Sequence, residues 1–215
     1  MLYQIYYKPE HLQKIYPFAA PYFNPTLTIF FENKPIEAIV KASTSKNTAV
    51  CSWKLADKMK IRVGLRQPLI EDVIKSDFEV LSLTKNSTKH QMLAMAKTWH
   101  PYFIPVIDLL WQKLGLKRPG EAKNPIYQNH FMARTDIYQD YVQNFLSPAM
   151  QLIEDDPELN KLMNKPSGYG KLSREADKKS VKAKLGMDDY PLCPFVLERC
   201  PSLWFQMKNI KITYL

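Results

Sequence analysis

The chain has 215 residues, 46% hydrophobic and 12% aromatic with six glycines, which excludes a disordered or fibrous protein and suits one full-sized domain. Its formal net charge of +9 is uneven: eight basic residues and two acids lie between Lys161 and Lys184, a local excess of +6. Cys51, Cys193 and Cys200 form no C-x-x-C pair, so neither a disulfide framework nor a zinc knuckle is supported, and without a glycine-rich phosphate loop any phosphate must be met by side chains or helix ends.

Met1 leads into LYQIYYKPE, which alternates like a strand over 2–7 and lacks the basic start and apolar core of a secretory signal. The longest apolar stretch, 101–111, is broken by Pro105 and Asp108 and falls short of the ~20 residues of a bilayer span. The expectation is therefore a soluble, cytoplasmic chain. A short helix follows from Pro9, then a strand over 26–31, a helix over about 35–41, a strand over 48–53 and a helical piece over 69–75. The strand 78–83 (FEVLSL) leads into helices over 88–98 and 101–116, and the next strand is placed at 127–133. Strands alternating with helices at this spacing predict an α/β fold: a single domain over 1–215 with a mixed, mostly parallel sheet flanked by helices.

Beyond that strand, Thr135 is placed to cap a helix starting at Asp136, whose Tyr138, Tyr141, Val142, Phe145 and Ala149 share one face. Pro148 predicts a kink or a restart capped by Ser147. The segment 164–186, rich in charge and poor in apolar periodicity, reads as a basic mobile loop inserted in the domain. A last, all-round apolar helix is placed near 192–207.

In open α/β sheets ligands bind beyond the carboxyl ends of strands, so polar residues there are candidates. Three places qualify: Glu32 and Asn33 in FFENK, Trp53, Lys54 and Asp57 in SWKLADK, and Asn129 and His130 with the following ARTD. Each has a plain structural alternative: a turn and helix cap for Glu32-Asn33, core packing for Trp53, a satisfied core imidazole for His130. Asn129 faces either the core with its amide bonded or a pocket. Glu198 and Arg199 fall within the apolar segment YPLCPFVLERCPSLWF, where a charge must be paired or face a polar cavity, so they are either a structural ion pair or a catalytic carboxylate with a cationic neighbour.

The ordered blocks AVCSWKLADK, DFEVLSL with MLAMAKTWHPYF, YQNHFMARTDIYQDYVQNFLSPAMQLIE and CPFVLERCPSLWF resemble a family of bacterial glycosyltransferase-like proteins linked to capsular polysaccharide and lipopolysaccharide synthesis, over roughly 48–205. The resemblance implies a nucleotide-sugar transferase fold of type A, with a nucleotide sugar as donor at the strand ends and a glycan or lipid-linked acceptor. It carries Asn129, Glu198 and Arg199 over to the family's strand asparagine and late Glu-Arg pair, and Trp53-Lys54 to its aromatic-basic pair. The Asp-x-Asp metal motif of many such transferases is not evident, since EDD at 154–156 and MDD at 187–189 follow no strand, so dependence on Mg or Mn stays open. In this reading Glu198 is the base, with Arg199 beside it; Lys54, Arg199 and the basic loop neutralise the diphosphate, and the loop closes as a lid. The alternatives are a non-catalytic binding subunit whose basic loop docks on acidic lipid at the inner membrane face, and a nucleic-acid binder. The loop's lack of aromatic-basic interleaving beyond Tyr169 counts against the last.

Overall fold

The computed structural model describes residues 1–58, 72, 75–83, 91–168 and 175–214. Most of the helical piece expected at 69–75, the start of the one expected at 88–98, and residues 169–174 of the basic segment lie outside the described residues.

The chain opens with β1 (Leu2–Tyr6), followed by a 3-10 turn over Pro9–Lys14 and β2 (Ala20–Phe23). Then come α1 (Asn33–Ala42), β3 (Asn47–Ser52), α2 (Leu55–Lys58) and β4 (Val80–Ser82). Helices α3 (Met92–Trp99) and α4 (Phe103–Lys113) precede β5 (Phe131–Arg134). A long helical passage follows: α5 (Thr135–Tyr141), a π-helical turn (Val142–Leu146), α6 (Ser147–Asp155) and α7 (Pro157–Met163). The chain continues with α8 (Glu175–Leu185), α9 (Cys193–Leu197), α10 (Cys200–Met207) and β6 (Ile212–Tyr214).

The six strands form one mixed sheet in the order β2-β1-β3-β5-β4-β6. β1 pairs in parallel with β2 and β3, β4 pairs in parallel with β6, and β5 is antiparallel to both β3 and β4. Five strands thus run one way with β5 reversed among them, so the start of β5 shares an end of the sheet with the carboxyl ends of the other five. This is the expected α/β domain with helices packed on its sheet.

Side-chain alternation sorts the strands onto two faces. Ile5, Val50, Val80, Phe131 and Ala133 join a large core with α1, α3–α7, α9 and α10. Leu2, Ala49, Cys51, Leu81 and Met132 point the other way, onto Tyr16, Ala19 and α2. Buried Gln4 fastens this second layer: its Oε1 accepts from the Tyr16 N–H at 2.7 Å and its Nε2 donates to the Ser52 carbonyl.

Several expectations are corrected. The second strand is Ala20–Phe23, not 26–31; Pro21 is tolerated because β2 is an edge strand. Strand β5 begins at Phe131, and Gln128 and Asn129 before it form a turn in the left-handed region, at φ 62° and 54°. Thr135 does not cap: it is the first residue of α5, and its hydroxyl is 2.8 Å from that of Thr48, itself 2.7 Å from the Ser43 hydroxyl. Pro148 does not restart the helix with Ser147 as cap. The turn before it widens to π geometry and the helix runs on, relieving the clash of the ring with the preceding turn. The last apolar helix is two short ones, each with a proline in its first turn, Pro194 and Pro201. The basic segment expected as a loop contains α8, a charged helix anchored by buried Val181. β6 was not anticipated.

Candidate functional site at the carboxyl end of the sheet

Trp53 follows β3 directly, and its N–H donates to the Ile5 carbonyl at 2.9 Å, which fixes it at the sheet end. His11, from the 3-10 turn after β1, stacks on the indole with ring centroids 3.8 Å apart and 16° between planes. Lys14 Nζ lies 5.0 Å and Lys54 Nζ 5.2 Å from the centre of the same ring. Asp57 is 2.8 Å from Lys14 and exposed, so it orients that lysine. Burial first, then the positive charges of Lys8, Lys54 and Lys14, hold the His11 imidazole below its ordinary pKa, and the opposing pull of Glu10 does not reverse this.

Next to this cluster, the Tyr7 phenol lies near the Glu32 carboxylate; burial, then that negative charge, push its pKa well above the ordinary value. Lys184 of α8 sits 5.7 Å from the centre of the Tyr7 ring, so the basic segment reaches the sheet end. Asn33 has a structural task, its Nδ2 donating to the Phe30 carbonyl at 2.8 Å in the turn that starts α1. Phe31 in that turn stands at φ 49° and packs against Tyr190 at 5.8 Å, and Tyr190 meets Phe195 at 6.3 Å. The aromatic band continues through His100, 4.3 Å from Phe195, to Phe103, whose ring centre is 5.2 Å from the Arg199 guanidinium carbon.

Arg199 donates through Nη1 to the Phe195 carbonyl at 2.6 Å and to Glu198 Oε1 at 2.8 Å. Its charge reaches Tyr127 and His100. His100 is buried, with Nδ1 3.0 Å from the Ser167 carbonyl; burial pulls its pKa down to about 4, so the ring is neutral and Nδ1 donates.

Asn129 and His130 also lie at this sheet end, although they precede β5 rather than standing inside it. The Asn129 carbonyl is 3.9 Å from Cys51 Sγ, and the His130 imidazole is fully buried. The ARTD residues, by contrast, span the end of the reversed strand β5 and the start of α5 and fall at the opposite end, where Arg134 and Asp136 form a two-pronged exposed pair. The structure therefore gathers Trp53, Lys54, Asp57, Glu32, Asn33, Asn129 and His130 at one sheet end and links Glu198 and Arg199 to it through aromatic contacts. Tyr7, His11 and Lys14 escaped the sequence reading, whereas Lys184 belongs to the basic segment that it had singled out. YKPEHLQK follows β1 directly, so the strand-end rule applied to that strand would have found these three.

The adjacent acids weighed as metal ligands are engaged elsewhere. Asp156 caps α7 through the Leu159 N–H and pairs with Lys113 at 2.6 Å, Asp188 pairs with Lys182, and Asp189 accepts from the Tyr190 N–H. Among the described residues no group of three or more His, Cys, Asp or Glu side chains is placed to hold a metal ion, and no helix is long and apolar enough to cross a membrane. A cavity lined by Lys123, Asn124, Gln206, Asn209, Ile210 and Ile212 opens beside the start of β6, at the other end of the sheet. Comparison with protein-family models, curated proteins and solved structures found no match for this chain.

Proposed function

We propose that this chain is a glycosyltransferase moving a sugar from a nucleotide-sugar donor to a glycan or lipid-linked acceptor, as the resemblance to surface-polysaccharide transferases implies. The observation that carries the reading is the pairing of two aromatic rings with three lysines at the carboxyl end of the sheet: Lys14 and Lys54 at 5.0 and 5.2 Å from the Trp53 ring centre, and Lys184 at 5.7 Å from that of Tyr7. A nucleobase would stack on the indole in exchange for His11, and the ammonium groups over these rings would help neutralise a diphosphate. A mixed sheet with one reversed strand is also compatible with a type A transferase fold.

The chemistry assigns one task to each group. The Glu198 carboxylate takes the proton of the acceptor hydroxyl as its oxygen bonds to the anomeric carbon. The bond from that carbon to the diphosphate breaks, and the electron pair leaves with the nucleotide, whose growing charge the lysines and Arg199 offset. The Asn129 amide holds a ribose or sugar hydroxyl.

A second reading, a donor-binding subunit without turnover, is favoured by the Glu198 carboxylate being already held by Arg199 at 2.8 Å. A thermal-shift panel of nucleotide sugars tests donor binding, since ligand at a hundredfold excess over Kd stabilises the folded state by about 2.7 kcal/mol. Transfer of radiolabelled sugar to a glycan separates enzyme from binding subunit.

A further inference from the structure

The turn Trp99–Phe103 between α3 and α4 is built unlike the other surface turns. Tyr102 stands at φ 71°, a region that bulky residues rarely enter, and strain of this kind persists only where the surroundings impose it. Here they do. His100 is tied to the Ser167 carbonyl at 3.0 Å, and Gly168, at φ 78°, presses so closely that an added Cβ would stand 3.1 Å from Pro101 Cδ and 3.3 Å from the Trp99 carbonyl oxygen. Phe103 is buried against Arg199. A turn so firmly held nevertheless leaves its two largest side chains in solvent, with Trp99 47% and Tyr102 56% exposed. Lys165 Nζ lies 4.2 Å from the Tyr102 ring centre, and Lys97 and Lys161 are exposed nearby along the chain.

We propose that Trp99 and Tyr102 form a stacking platform for an acidic sugar, a uronate or similarly charged residue of a glycan, with Lys165 meeting its carboxylate. Exposed aromatic rings hold the apolar faces of pyranose rings, and the Lys165 ammonium group, which stands over one face of the Tyr102 ring, selects for negative charge in what binds beside it. A membrane headgroup surface is the less suited occupant: two rings on a rigid turn offer little apolar area for insertion, whereas pre-organised rings suit a stiff small ligand. That the bound glycan is the acceptor rests on the transferase reading above; that the platform binds acidic sugar does not.

The test is calorimetric titration of the full chain with oligogalacturonate and with a neutral oligosaccharide of equal length, alongside flotation with vesicles containing anionic lipid. Saturable binding of the acidic oligosaccharide, weakened about tenfold or more in Trp99→Ala and Tyr102→Ala, is expected. Lys165→Met should abolish the preference for acidic over neutral sugar. Tyr102→Gly relieves the backbone strain, so loss of binding there with an unchanged or higher melting temperature assigns the effect to the ring rather than to unfolding. Absence of binding to the wild type, equal affinity in Trp99→Ala, or Trp99-dependent flotation without sugar binding would each overturn the proposal. Nucleoside diphosphate titrated into the same samples reads the donor site separately, so either reading can fail while the other stands.

Discussion

Glu198 and Arg199 pair with each other across one peptide bond, Nη1 to Oε1 at 2.8 Å, with the arginine side chain 10% and the glutamate side chain 24% exposed. The same Nη1 also holds the Phe195 carbonyl, so the arginine is anchored to its own helix turn whatever Glu198 does.

Glu198→Gln keeps an oxygen to accept from Arg199 while removing the base. Turnover should fall ~10²–10⁴-fold, with the melting temperature and donor binding near the parent values. Glu198→Ala instead leaves the guanidinium short of a partner and should also lower stability, by about 1–3 kcal/mol in denaturant titrations. If Glu198→Gln unfolds the chain but leaves activity per folded molecule intact, the pair is purely structural.

Asn129 offers a way to separate backbone from side chain. At φ 54° a Cβ is tolerated poorly and glycine well, so Asn129→Gly removes the amide while easing the turn, whereas Asn129→Ala adds a backbone cost of about 1 kcal/mol. Equal loss of donor affinity in both variants, with only the alanine form less stable to urea, is the expected pattern. Unchanged affinity in the glycine form would remove Asn129 from the donor site.

His100 makes stability depend on acidity. Its pKa in the folded chain is lowered to about 4 from an ordinary 6.5, chiefly by burial, so the unfolded chain binds the extra proton first. Stability is therefore full above pH 6.5 and declines as the pH falls towards 4, by an amount on the order of 3 kcal/mol. His100→Asn retains a donor for the Ser167 carbonyl and should flatten that limb of a pH series of urea melts. An unchanged slope would show that other groups dominate it.

The hydroxyls of Tyr138 and Tyr141 are buried with no protein hydrogen-bond partner among the described residues. Phenylalanine keeps the stacking of Tyr141 on Phe145, 5.8 Å between centroids, and drops an unsatisfied polar atom. Tyr141→Phe should be neutral or stabilising by about 1 kcal/mol in chemical denaturation. A clear loss would reveal a partner for the hydroxyl.

The strands buried on both faces were the legible part of the fold: NTAVCS and FEVLSL announce themselves by apolar runs, and β3 and β4 sit in the sheet interior. The edges were not. TLTIFF has the residues of a strand, yet Ile29 and Phe30 pack into the core from a turn, while APYF pairs despite its proline because only one side of β2 is bonded. Periodicity also carries no direction. Nothing in YQNHFMAR says that its strand runs against its neighbours, and that reversal is what brings Asn129 to the site and sends Arg134 away from it. The site's polar residues were visible where they followed β3, but α8 hid behind its own charge. Lys184 reaches Tyr7 from a helix with almost no apolar stripe to mark it.

The donor site is tested most directly by titrating nucleoside diphosphates and their sugar conjugates into the wild-type chain and into Trp53→Ala, following tryptophan fluorescence and the heat of binding together. Saturable binding with quenching in the wild type, falling about tenfold or more in Trp53→Ala and Lys54→Ala at unchanged melting temperature, is the expected result. Lack of binding by any nucleotide sugar to the folded wild type, or equal affinity without the Trp53 ring, would contradict a donor site at the carboxyl end of this sheet.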